Sequence, residues 1–180
     1  NRLLNLTNQL LDMRKMDSSE KKLRYIEKDV CKIVRTTCSY FDQSALEQHI
    51  RIETDIPDEP IIIPCAEDVI STIISNLLSN AVKYGDGQIK LVLKKEEDKV
   101  VIRVDSNGKL IPADESENIF KIFYQLENES TIQKSNGTGL GLPYARSMAR
   151  LHNGNLYLDT AVRDCNSFVF ELPLTQPEQV

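Results

Sequence analysis

Ile70-Ser71-Thr72-Ile73-Ile74-Ser75-Asn76-Leu77-Leu78-Ser79-Asn80-Ala81-Val82-Lys83-Tyr84 is the stretch on which the reading of this chain turns. Ile70, Ile73, Ile74, Leu77, Leu78 and Ala81 recur with helical spacing and form a full core stripe. The predicted helix spans 67–84. A second face of the same helix carries Thr72, Asn76, Asn80 and Lys83, spaced by four, four and three. Asparagine is a poor helix former that prefers caps, so two of them in a strong helix point to a ligand. A carboxamide oxygen suits a hard cation such as Mg²⁺, which keeps several waters and takes few protein ligands. Lys83 adds charge for a phosphate. The plainer alternative is a solvated polar face.

Downstream, Gly85-Asp86-Gly87 is expected to stop this helix. Ile89, Leu91 and Leu93 alternate as one strand, and Val100, Ile102 and Val104 as another. The charged turn at 94–99 makes them an antiparallel hairpin. Upstream, a short strand is expected at 23–27, and Asp29 is a helix N-cap. Val30, Ile33, Val34, Thr37, Phe41 and Ala45 then follow one helical period. Ile50, Ile52 and Thr54 read as a strand, and Ile61-Ile62-Ile63 as a buried strand ended by Pro64. A helix over 142–152 ends at the C-cap signal Asn153-Gly154. Leu156 and Leu158, then Phe168, Phe170 and Leu172, mark two closing strands. Hairpins outnumber parallel crossovers, so the fold class is α+β: a two-layer α/β sandwich, its mixed sheet covered on one face by helices. Before it, Leu3, Leu6, Leu10 and Met13 give residues 1–20 a coiled-coil seam. That helix either docks on its own domain or is the tail of a dimerisation hairpin.

A second stretch bears on function. Gly137-Thr138-Gly139-Leu140-Gly141-Leu142-Pro143 follows a polar loop and opens a helix. Glycine permits close backbone approach, and a helix N-terminus offers free N–H groups to an anion. No Gly-Lys-Ser/Thr follows, so it is not a Walker A loop. No strand leads directly into it, so it is not a dinucleotide fingerprint. Between the two stretches lies Val104-Asp105-Ser106-Asn107-Gly108-Lys109-Leu110-Ile111-Pro112. Phe120 and Phe123 follow, expected as partly packed core anchoring the polar loop.

Composition narrows the field. The 180 residues hold 41% hydrophobic and 27% charged residues, which is ordinary for a globular domain and not for a disordered one. The net charge of −5 disfavours a nucleic-acid binder. No apolar run is long enough to span a membrane. Cys31, Cys38, Cys65 and Cys165 form no CxxC pair and read as reduced thiols. His49 and His152 are the only histidines. The chain opens at Asn1 without Met, as a fragment of something longer does.

In this order the stretches resemble the ATP-binding catalytic domain of sensor histidine kinases, within the wider gyrase, Hsp90, histidine kinase and MutL superfamily. Asn76 to Tyr84 is similar to the family's N box, Ile119-Phe120-Lys121-Ile122-Phe123 to its F box, and Gly137 to Leu142 to its G2 box. Leu151-His152-Asn153-Gly154 and Phe168 to Pro173 match its closing segments. The resemblance implies the Bergerat ATP-binding fold over 21–175. It makes 1–20 the end of the dimerisation and phosphoacceptor hairpin, and 176–180 a tail or linker. Asn80 would bind Mg²⁺, with Asn76 directly or through water. Lys83 would contact a phosphate and Tyr84 would lie near the adenine. Gly137, Thr138, Gly139, Leu140 and Gly141 would wrap the phosphates, and 113–136 would be a mobile lid.

The resemblance further implies a protein histidine kinase that passes the γ-phosphoryl of ATP to a histidine outside this chain. Onward transfer would go to a receiver aspartate in the same chain or a separate one. It implies a homodimer through the hairpin, a cytoplasmic domain of a membrane-anchored protein, and no nucleic-acid contact. Two departures stand out in the G1 box, usually Asp-x-Gly-x-Gly. Ser106 occupies the position of the base-reading Asp, Leu110 that of the second glycine, and Gly108 alone is kept. Asp105 is one residue off and so faces the other side of the strand. Thr72 stands where the superfamily's ATPases often carry a water-activating Glu, which disfavours ATP hydrolysis as the main reaction. The alternative is a degenerate nucleotide-fold scaffold or relay without kinase activity.

Overall fold

The described residues are 7–8, 10–11, 23–126 and 137–176 of the computed structural model, and from residue 23 on alternating and helical hydrophobic patterns sort them into seven strands and four helices. In chain order these are β1 (Ile26–Asp29), α1 (Val30–Ser39), α2 (Asp42–Glu47), β2 (Arg51–Asp55), β3 (Ile62–Cys65), α3 (Glu67–Tyr84), β4 (Gly85–Lys95), β5 (Lys99–Gly108), α4 (Gly141–Leu151), β6 (Asn155–Leu158) and β7 (Asn166–Pro173). Two 3₁₀ turns, Ala113–Glu115 and Asn118–Phe120, follow β5.

Five strands form one sheet in the order β2-β4-β5-β7-β6. β2 and β4 run parallel, joined by a crossover through α3, and the other pairs are antiparallel. The sheet is therefore mixed, as expected. On β5, Val100, Ile102 and Val104 are buried while Val101, Arg103 and Asp105 remain partly open, so one face of the sheet makes the core. Against that face α3 lays Val69, Ile70, Ile73, Ile74, Leu77, Leu78, Ala81 and Val82, all buried. Each large aliphatic buried there contributes roughly 1.5–3 kcal/mol relative to exposure. This anchors the helix whose other face carries the polar residues.

The expected strand at 23–27 is β1, shifted toward 26–29, and it pairs antiparallel with β3 in a separate two-stranded ribbon. Asp29 caps α1 as expected. Its Oδ1 accepts from Cys31 N–H at 3.0 Å and also from Ile61 N–H at 3.2 Å, tying the helix start to the ribbon.

Gly85 stops α3 as expected, as its C-cap, and opens β4 directly. Three local expectations change. The single helix expected over 30–45 is two, because the chain turns at Tyr40 and Phe41 through bonds to Thr37 and Cys38 carbonyls. Pro64 does not end its strand but lies inside β3 opposite Glu27, where a two-stranded ribbon leaves room for a residue without N–H. Phe123 is not packed: it is 64% exposed with φ 63°, whereas Phe120 is buried. Thr7, Asn8, Leu10 and Leu11 are helical, and the rest of the expected helix over 1–20 lies outside the described residues. No helix among the described residues is long and apolar enough to cross a membrane.

Candidate functional site

The polar face of α3 and the glycine-rich stretch meet. Asn76 is half-buried on α3, its Nδ2 donating to Thr72 O one turn back at 2.9 Å, which leaves Oδ1 pointing outward. Gly141, the first residue of α4, lies against it: a Cβ there would come 3.1 Å from Asn76 Oδ1. A Cβ on Gly137 would sit 2.7 Å from the Tyr84 hydroxyl and 2.8 Å from Lys83 Nζ. Lys83 Nζ in turn stands 4.7 Å over the Tyr84 ring, a cation–π contact. Asn80, half-buried, follows Asn76 by one turn, about 6 Å along the axis. Lys83 and Tyr84 thus approach the entry of the glycine stretch, and Asn76 its exit.

The glycines are shaped for this contact. Gly139 has φ +66° and lies so close to Phe123 that a Cβ would be 2.7 Å from its backbone. Phe123 N–H donates to Gly139 O at 3.0 Å, and Gln125 Nε2 donates to Gly137 O at 2.7 Å. Leu140 is fully buried, so its side chain anchors the stretch while its backbone stays at the site. Thr138 is half-buried beside it. α4 then begins with no side-chain N-cap bond, and its first-turn N–H groups have no carbonyl partner within the helix.

Sequence reasoning missed the clamp behind these contacts. Arg146 on α4 donates through both Nη atoms to Glu117, at 2.8 and 3.2 Å, and its guanidinium covers the Phe120 ring at 4.4 Å. The neighbouring Arg146 holds the Glu117 carboxyl below its usual pKa. Tyr124 OH and Asn118 Nδ2 donate to Glu115, which lowers its pKa as well. An Arg at the fourth residue after Leu142 and a Glu before the F box are the only signals the sequence offers, and nothing local pairs them.

The remaining expected residues lie at the end of β5. Ser106 is buried at 7% exposure, and Gly108 (φ +134°) touches Tyr84 O, 2.5 Å from where its Cβ would be. Leu110 is 45% exposed. Asp105 faces the opposite side of the sheet, accepting from Ser167 Oγ at 2.5 Å. His152 is structural: it is fully buried, Nε2 accepts from Ala66 N–H at 2.9 Å, and burial depresses its pKa, so the ring is neutral.

The chain matches the family model "Histidine kinase-, DNA gyrase B-, and HSP90-like ATPase" over residues 65–176. It is 34% identical to sensor histidine kinase TmoS of Ectopseudomonas mendocina, across 98% of this chain and 18% of that one. It is 29% identical to sensor histidine kinase WalK of Bacillus subtilis, across 99% of this chain and 30% of that one. It spans less than a third of either relative. In structure it resembles full-length ShkA, solved with AMPPNP, with a TM-score of 0.80 at 22% identity over 98% of this chain and 37% of that one, a likeness of fold. The site geometry, the sandwich and the match over α3 to β7 agree: the chain belongs to the histidine kinase-, DNA gyrase B- and HSP90-like ATPase family, and its relatives here are sensor histidine kinases.

Proposed function

We propose that this domain binds Mg·ATP and serves the transfer of its γ-phosphoryl to a histidine outside the chain. The observation that carries this reading is the contact of Gly137 with Lys83 and Tyr84, and of Gly141 with Asn76. The two glycines bring the stretch close to a cation, a phenol and a carboxamide at the start of a helix. That donor set fits a magnesium-bound polyphosphate. Asn80 and Asn76 offer carboxamide oxygens to the metal, Lys83 neutralises phosphate charge, and the N–H groups of 138–141 offer donors at the N-terminus of α4. Tyr84, Ser106 and Gly108 flank the base. The ion and the nucleotide supply the phosphoryl group and its charge neutralisation, and the protein supplies position, which is most of what phosphoryl transfer needs.

In the longer protein, the division into a hairpin end (1–20), this domain (21–175) and a tail (176–180) would give a homodimer through the hairpin, with a receiver aspartate as the next acceptor. Anchoring in a membrane would fall to other segments, and the acidic balance of this domain suits no nucleic-acid contact. Ser106 and Leu110 favour the second reading, a relay module without kinase activity. The approach of the glycine stretch to Lys83, Tyr84 and Asn76 weighs against it, because a module that holds no phosphate has no use for that arrangement.

Calorimetric titration with Mg·ATP tests the proposal. Saturable binding is expected, weakened at least about tenfold in Asn80→Ala by loss of a charge-assisted contact. A folded chain that takes up no nucleotide at millimolar concentration returns the weight to the relay module.

A further inference from the structure

Ser106 ends an otherwise aliphatic row. Val100, Ile102 and Val104 precede it on the face of β5 turned toward α3, and Ser106 follows at 7% exposure. Among the described residues its hydroxyl has no hydrogen-bond partner, yet the oxygen is not sealed in, since Arg146 Nε is the enclosed side-chain atom found without a partner. Its cross-strand neighbours make no use of it. Ile89 is aliphatic. Asn166 accepts from Ile111 N–H at 2.8 Å and donates to Lys109 O at 2.9 Å, which holds the following turn.

The nearest carboxylate is committed elsewhere. Asp105 accepts from Ser167 Oγ on the other sheet face, and Arg103 Nη1 donates to the same Oγ at 2.7 Å and to Asp159 at 3.1 Å. Two residues beyond Ser106, Gly108 brings β5 against the last residue of α3. A nearly buried hydroxyl without a protein partner among the described residues therefore stands near the end of the helix that carries Lys83 and Tyr84, with no carboxylate of β5 turned the same way.

We infer that Ser106 reads the edge of the bound purine and admits guanine as well as adenine nucleotides; this rests on the nucleotide reading above. The 6-amino group of adenine donates and the 6-oxo group of guanine accepts. An ionised carboxylate at this position only accepts, so it selects adenine and repels guanine. A hydroxyl turns about its C–O bond and serves as donor or acceptor. The base is then held without being discriminated.

The test is calorimetric titration of this chain with Mg·ATP and Mg·GTP, beside Ser106→Asp and Ser106→Ala. The unchanged protein is expected to bind the two nucleotides within about tenfold of each other. Ser106→Asp should shift the ratio at least about tenfold toward ATP, the worth of one charge-assisted hydrogen bond gained or refused. Ser106→Ala, which removes no packing of consequence, should weaken both nucleotides together. A preference for ATP above about a hundredfold in the unchanged protein overturns the inference. So does a Ser106→Ala variant with both affinities unchanged. If a folded sample binds neither nucleotide, the nucleotide reading itself fails and this inference falls with it.

Discussion

The two ends of the site are built differently. At the end proposed to hold the phosphates, three separate segments converge: α3 through Asn76 and Lys83, the glycine stretch through Gly137 and Gly141, and the segment after β5 through Phe123 and Gln125. Each glycine there lies against a neighbour's backbone or the tip of a polar side chain. At the end proposed to hold the base, β5 supplies a hydroxyl with no protein partner among the described residues, and the turn after it a half-exposed leucine. The difference teaches where substitution is tolerated: backbone-to-backbone contacts leave no freedom, while side chains facing open space can change and alter selectivity alone.

The hardest blow to this contrast is Gly139→Val. A β-branched residue at φ +66° costs on the order of 1–2 kcal/mol for the left-handed backbone alone. Its Cβ also meets the Phe123 backbone rather than the end of a flexible side chain. Nucleotide affinity should fall at least about tenfold, with a lowered melting temperature. Gly137→Ala should do less, because its Cβ meets only the ends of Lys83 and Tyr84, which swing aside. Equal damage from both would show that the glycine stretch is intolerant as a whole.

A smaller effect concerns the far end of α3. Burial lowers the His152 pKa below its unfolded value, so the folded state resists a proton that the unfolded state accepts. The stabilisation is full above about pH 6.5 and is lost as pH falls through that value toward the folded pKa. Asp68, Tyr25 and the Gln176 amide face the ring from α3, the residue before β1 and the stretch after β7; the Asp68 charge opposes the shift without reversing it. Urea midpoints at pH 7.5 and 5.5 check this, and the drop should shrink in His152→Gln. A midpoint that rises on acidification would contradict a neutral buried ring.

Leu110→Gly should move least. With half its surface open, the leucine gives up little, and a change within about 0.5 kcal/mol is expected in stability. Nucleotide affinity should stay within about threefold. A large gain in affinity would mean that Leu110 swings into the base end, and the contrast between the two ends would need redrawing.

What the sequence made legible follows from how local each signal is. The α3 stripe runs for three turns without interruption, and its second face is set by the same period, so both core and site residues could be read together. The break between α1 and α2 could not, because apolar spacing continues through Phe41 and Ala45 with neither glycine nor proline at the turn. Phe120 and Phe123 share a helical spacing, yet Lys121 is extended (ψ 142°) after a single 3₁₀ turn, and the second ring swings outward. The bonds from Arg146 to Glu117 and from Gln125 to Gly137 join residues far apart in sequence, and only the folded chain brings them together.

One small feature has a use in engineering. Asn153, in the turn after α4, donates to Gln176 at 2.9 Å and reaches the Tyr25 hydroxyl at 3.4 Å. The segments that lead into and out of the sandwich therefore hang from one side chain. A short linker from residue 176 back to residue 25 closes the chain into a ring, and the charged turn between β4 and β5 is a natural place to reopen it. Leu174 N–H donates to the Asp98 carbonyl in that same turn at 3.1 Å, so such a permutant keeps its new termini on the rim where the chain now leaves the sheet, and a reporter fused there sits at the opposite end of β4 and β5 from Gly85 and Gly108.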